Sequence, residues 1–220
     1  RKFPSYKDFA VATMKDVLSP EDRKGALILE ANEFRSCFLR NDGNGKFSIH
    51  PLPQAAQYSM INGMTVDDFD EDGNLDVLLT GNDYGTEPLV GRYDALNGLL
   101  LKGDGKGNFL PLSILQSGIY IPGNGKALAE LKGAKGHTLV AASQNRGYLK
   151  LFALRKSQPL IPVLGHSPDF LLRLRNGQKR KQELYCGSSF LSQSGRYLKK
   201  TPQVTGIQKR DKSGRWVAFY

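Results

Sequence analysis

Nine residues, Asp68-Phe69-Asp70-Glu71-Asp72-Gly73-Asn74-Leu75-Asp76, read D-x-D-x-D-G-x-x-D, a spacing that suits a hard divalent cation. Asp68, Asp70 and Asp72 fall on alternate residues, so a tight loop can turn all three carboxylates inward. Gly73 permits the backbone turn, the carbonyl of Asn74 is placed to add a ligand, and Asp76 closes the cage from the start of the next element. Four aspartates in nine residues repel one another until a cation neutralises them. Oxygen ligands of this kind favour Ca2+ or Mg2+ over zinc, and the arrangement suits Ca2+ best. The alternative is an acidic, solvated turn that holds no ion.

An EF-hand is excluded. That loop takes a glutamate at its twelfth position between two helices, and the twelfth residue from Asp68 is Leu79. The flanks, Gly63-Met64-Thr65-Val66 and Leu75-Asp76-Val77-Leu78-Leu79-Thr80-Gly81, are short, apolar and rich in strand formers. The spacing therefore predicts a calcium loop between two strands.

A second candidate site follows it. Residues 81–98 concentrate Asp83, Tyr84, Glu87, Arg92, Tyr93 and Asp94 on a loop just beyond the metal-site strand. Aromatic faces with carboxylates and an arginine suit a sugar or a protein partner. The alternative is a structural Ω-type loop that closes against its neighbour. For catalysis the residues offer nothing. His50, His137 and His166 are far apart, lack metal-ligand spacing and read as surface residues. Gly187-Ser188-Ser189 is no nucleophile elbow, and no phosphate-binding G-x-x-x-x-G-K-[ST] occurs. The chain is expected to be no enzyme.

Repeated turns must position these loops. Arg40-Asn41-Asp42-Gly43-Asn44-Gly45-Lys46-Phe47 recurs as Lys102-Gly103-Asp104-Gly105-Lys106-Gly107-Asn108-Phe109, each copy between short apolar runs, so each predicts a hairpin. Residues 127–145 repeat the strand–turn–strand outline of the calcium segment. Leu131, Gly133 and Lys135 stand there in place of Asp68, Asp70 and Asp72, so one bound calcium is expected rather than three. Gly25–Asn32 is a weaker echo of the same outline. Before it, Phe9, Ala10, Thr13, Met14, Val17 and Leu18 fall at helical intervals, predicting one helix over 6–18 with Ser5 as cap and Ser19-Pro20 as stop.

A hydrophobic content of 40% with 24 glycines fits a turn-rich globular chain, more β than α. No apolar run approaches the roughly 18 residues of a membrane span. Cys37 and Cys186 permit one disulfide or two buried free thiols, and do not settle the compartment. A millimolar-range calcium site would be filled outside the cell and nearly empty in the cytosol, which favours an extracellular setting. The opening Arg1-Lys2-Phe3-Pro4 reads as a mature product or a piece of a longer chain. The net charge of +10 is concentrated at one end: residues 155–220 carry 14 Lys/Arg against 3 Asp/Glu. On charge alone that segment suits an anionic partner or is simply a solvated basic face, and no nucleic-acid partner is expected.

With the D-x-D-x-D-G-x-x-D loop and the N/D-G-x-G-x-F turns in view, residues 21–154 resemble the FG-GAP/VCBS repeats of integrin-α-like β-propellers. The resemblance implies four-stranded blades, with Asp68, Asp70, Asp72 and Asp76 as side-chain calcium ligands and Asn74 as a carbonyl ligand. Gly187-Ser188-Ser189-Phe190-Leu191-Ser192-Gln193-Ser194, behind a hairpin turned at Asn176-Gly177, is similar to the ASPIC/UnbV domain, as is 204–216. Asp211-Lys212 stands where that family often has Trp-Pro. The order of segments resembles large surface proteins of Bacteroidetes-type bacteria, outer-membrane associated. The resemblance implies an all-β chain: closing propeller blades over 1–154, a linker at 155–166 and a basic β-rich module over 167–220. The function it implies is non-catalytic binding of an extracellular protein or glycan. A propeller-type polysaccharide lyase and a scaffold subunit of a larger cell-surface assembly are the alternatives.

Overall fold

The structure is a computed structural model that describes residues 2–156, 158–164, 169–187 and 192–220. Its contacts divide it into two compact units, Arg1–Phe34 and Arg35–Tyr220.

The first unit holds two short helices, α1 (Tyr6–Ala10) and α2 (Met14–Val17), in place of the single helix expected over 6–18. Thr13 explains the break. Its backbone is extended (φ −84°, ψ 166°), and its hydroxyl and N–H both face Asp16, so it starts a new helix instead of continuing the old one. Ser5 caps α1 as expected, in a capping box with Asp8. The weak echo at Gly25–Asn32 forms no strand, and Leu27, Ile28 and Leu29 are exposed.

The second unit is built from antiparallel strands. Hairpin β1 (Cys37–Gly43) and β2 (Lys46–Pro51) turns at Asn44-Gly45, both with positive φ (52° and 73°), the pairing that matches strand twist. A four-stranded meander follows in the order β3 (Ile61–Asp67), β4 (Asp76–Gly81), β5 (Leu99–Gly103), β6 (Phe109–Leu112). Helix α3 (Ile114–Ser117) leads to the meander β7 (Gly125–Lys132), β8 (Thr138–Gln144), β9 (Lys150–Ala153), the strand–turn–strand echo expected there. Strand β10 (Leu160–Pro162) lies within the segment expected as linker. It pairs with β13 (Tyr197–Lys199). A last sheet runs β12 (Lys179–Glu183), β11 (Asp169–Leu174), β14 (Val204–Arg210), β15 (Trp216–Ala218). In place of the Trp-Pro step, Asp211 shapes the turn before β15 by accepting from the N–H groups of Ser213 (2.8 Å) and Arg215 (2.9 Å). The fold is thus mostly β. Among the described residues the sheets are separate antiparallel sets and no closed ring forms.

Strand β4 explains why its sequence is continuously apolar. Leu78 packs with Ile121, Leu128, Val140 and Ala142, while Leu79, one residue on and facing the other way, packs with Ala56, Leu96, Leu99 and Leu101. Each such buried leucine contributes roughly 1.5–3 kcal/mol. Gly63 lets β3 lie against β7: a Cβ there would meet Ala127 Cα at 2.9 Å. A third core, around Phe170, Leu172, Leu198 and Ile207, serves the C-terminal strands.

Both cysteines are free, and neither is buried: Cys37 is half-buried and Cys186 exposed. His50 and His137 are half-buried rather than surface residues, His50 against the ring of Phe38 and near Ser48. His166 lies outside the described residues, as do Ser188–Leu191 of the G-S-S-F-L-S-Q-S string, and so does the side chain of Lys135. Among the described residues no helix is long and apolar enough to cross a membrane.

Candidate metal centre

Asp67 and Asp76 pair across β3 and β4, so residues 68–75 form the connection of one hairpin. Glu71 (φ 67°) and Gly73 (φ 96°) take left-handed backbone conformations that fold it back on itself. Glu71 is the costlier of the two, a non-glycine residue whose side chain is held by Gln158 (2.6 Å) and Lys156 (3.2 Å).

Carboxylate oxygens of Asp68, Asp70 and Asp76 all lie within 4.8 Å of one another. Asp68 is 3% exposed, and one of its oxygens, Oδ2, accepts from Gly73 N–H at 3.0 Å. Its other oxygen, Oδ1, is buried and has no hydrogen-bond partner among the described residues. An orphaned carboxylate oxygen costs desolvation energy that a cation would relieve. Asp76 is 2% exposed and is fixed at both oxygens, by Gly103 N–H (2.9 Å) and Phe69 N–H (2.9 Å). Asp70 supplies the exposed side of the group. The residues present fit a hard cation held by oxygen.

Asp72 is not in that group. Its Oδ1 accepts from Asn74 N–H (2.8 Å), and its Oδ2 meets Lys102 Nζ at 3.0 Å. The same ammonium also pairs with Asp70. Lys102, on β5, was missed in the sequence because nothing local links it to the loop; only the β4–β5 pairing brings it there. The side-chain oxygen of Asn74 abuts Gly105, where a Cβ would come within 2.4 Å of it.

The charges shift accordingly. Burial pushes Asp68 up to about 6, against the nearby guanidinium of Arg180 and the Gly73 bond. Burial also raises Asp76. Partial burial pushes Asp72 upward too, but the Asn74 N–H and Lys102 outweigh it and hold Asp72 below the usual carboxylate range. The bonds to Asp70 and Asp72 raise Lys102.

The basic C-terminal segment spends part of its charge on this loop. Arg180 Nη1 donates to Gly73 O at 3.0 Å, and Lys156 Nζ to Asp70 O at 3.3 Å. Lys199 pairs with Asp67, next to the cage. On another side, Asp68, Asp70 and Asp76 line a cleft of about 680 Å³, which gives an ion a way in.

The insertion loop brings five of the six residues expected there into contact, Asp83 with Tyr93 and Tyr84 with both Asp94 and Arg92. Asp83 and Tyr93 close its neck through paired backbone bonds of 2.9 Å each. Asp83 Oδ1 accepts from Gly85 N–H (2.9 Å), and Tyr84 donates to Asp94 at 2.6 Å. Arg92 lies over the Tyr84 ring, 4.7 Å from its centroid. Glu87 sits toward the tip, where its carbonyl accepts from Val90 and Gly91. Tyr84 and Arg92 face a cleft, together with residues of 123–124 and 144–147 to which nothing local in the loop's sequence points.

No protein-family model matches the chain, and no curated protein matches it either.

Proposed function

We propose that this chain is a non-catalytic, calcium-stabilised binding module of an extracellular or cell-surface protein. Its meanders would be blades of an FG-GAP/VCBS-type β-propeller. The observation that carries this reading is the buried Oδ1 of Asp68, unpartnered among the described residues, in a carboxylate group whose oxygens lie within 4.8 Å of those of Asp70 and Asp76. The placement of the loop between two strands, and its hairpin neighbours with Gly-rich turns, support the repeat type. Calcium is structural in this account. It would fix the end of β4, from whose far end the insertion loop projects toward a protein or glycan partner.

Thermal unfolding in calcium and in chelator tests it. At a calcium concentration 100 times Kd, the ion would add about 2.7 kcal/mol of stability. The melting temperature is expected to rise with calcium, and the rise to vanish in Asp70→Ala. Equal melting temperatures in calcium and chelator for the unaltered chain would remove the reading.

A further inference from the structure

We propose that the cleft beside the insertion loop binds a carboxylate-bearing sugar unit of a glycan. This deepens the binding-module reading above and rests on it. The cleft holds about 470 Å³, within the size range of small-molecule sites, and is lined by Tyr84, Arg92, Asn124, Gln144, Asn145 and Arg146 with three glycines.

Its lining carries two guanidinium groups, Arg92 and Arg146, and, among the described residues, no carboxylate. The carboxylates of Asp83 and Asp94 on the same loop accept from Gly85 N–H and Tyr84 OH. Among the described residues neither Arg92 nor Arg146 makes an ion pair. Planar guanidinium forks match a carboxylate, and the flanking side-chain amides match ring hydroxyls. Among the described residues none of the lining side chains is aliphatic, so a peptide would find no apolar seat there. A glycan is the better occupant.

The walls are built in advance. Asn82 is fully buried, with φ 87°. Its Nδ2 donates to Leu96 O (2.7 Å) and Gly123 O (2.8 Å), and its Oδ1 accepts from Leu96 N–H (3.0 Å). One side chain therefore ties the base of the insertion loop to the turn before β7. Opposite, Asn145 N–H bonds Asn124 O at 2.9 Å. Gly123 and Gly147 make room for Gln144, whose Oε1 would lie 2.5 and 2.8 Å from Cβ atoms at those positions. Asn124 is 4% exposed, and its Oδ1 has no partner among the described residues. Arg146 is held at φ 57°, a strained backbone conformation of the kind found at ligand clamps.

The test is calorimetric titration of the calcium-loaded chain with unsulfated oligosaccharides built on glucuronate, galacturonate or mannuronate, and with their carboxyl-reduced counterparts. At least one acid form is expected to bind, and reduction to weaken it tenfold or more. Arg92→Gln and Arg146→Asn should each weaken it about tenfold; asparagine tolerates the left-handed backbone at 146. Binding of none of the three, equal binding of the reduced forms, or binding only of an acidic peptide such as a glutamate decamer overturns the proposal. Calcium is titrated separately into the metal-free chain. Lost sugar binding with intact calcium binding contradicts the cleft alone, and the reverse contradicts the metal centre alone.

Discussion

The ammonium of Lys199 on β13 lies 2.7 Å from Glu130 Oε2 on β7, and it pairs at the same time with Asp67 on β3. Glu130 is completed by Thr65, whose hydroxyl donates to Oε1 at 2.7 Å. One lysine thus joins two sheets to the C-terminal strands, immediately behind the metal loop. Burial pushes Glu130 upward and pulls Lys199 downward. The hydroxyl of Thr65 offsets only part of that burial at Glu130.

Lys199→Met leaves Asp67 and Glu130 buried without their counter-ion. Breaking such a group by removing one partner costs about 3–5 kcal/mol. Urea unfolding should show that loss in the midpoint. Combining it with Glu130→Gln should cost less than the sum of the two single changes; strict additivity would mean that the residues do not interact.

Acid should weaken calcium binding. Asp68 is raised to about 6 in the metal-free chain, so below that pH it holds a proton that the ion must displace. Above pH 6 the affinity should be nearly flat in this respect; below it, Kd should rise by up to about tenfold per pH unit. A flat profile from pH 7 to 5 would place Asp68 outside the coordination sphere.

Lys102 competes with the ion for Asp70 and Asp72. Lys102→Met should tighten calcium binding about fivefold, a modest effect because the pair is exposed and screened. Competition with a calcium-sensitive dye reads the change, and a weaker affinity would show that Lys102 supports the bound form instead.

Gly103 supports Asp76 from the neighbouring strand. A Cβ at 103 would fall 2.1 Å from Leu75 O, a backbone atom that cannot swing away, and the Gly103 N–H that orients Asp76 would move with the strand. Gly103→Ala should cost about 1–3 kcal/mol of stability and weaken calcium about tenfold, seen in melting and in calorimetry.

Much of this was legible locally. The aspartate spacing marks the loop, and the Asn44-Gly45 and Gly105/Gly107 turns mark their hairpins, because turn chemistry is written in adjacent residues. Helical periodicity over 6–18 misled, since Thr13 offers its own cap and local capping outweighed a weak apolar stripe. What could not be read were partners brought in by distant strands. Lys102, Arg180 and Lys199 reach the acidic loop and its neighbour Asp67 only through strand pairing and packing across the chain. Likewise Asp94 accepts from the Tyr84 hydroxyl ten residues back, a bond that no local pattern in the loop announces.

Calorimetric titration of calcium into the metal-free chain, beside Asp68→Asn, tests the central claim most directly. The account predicts one site per chain, lost or weakened at least a hundredfold in the variant while its strands remain folded by circular dichroism. No heat of binding in the unaltered chain, or the same affinity in Asp68→Asn, would contradict it.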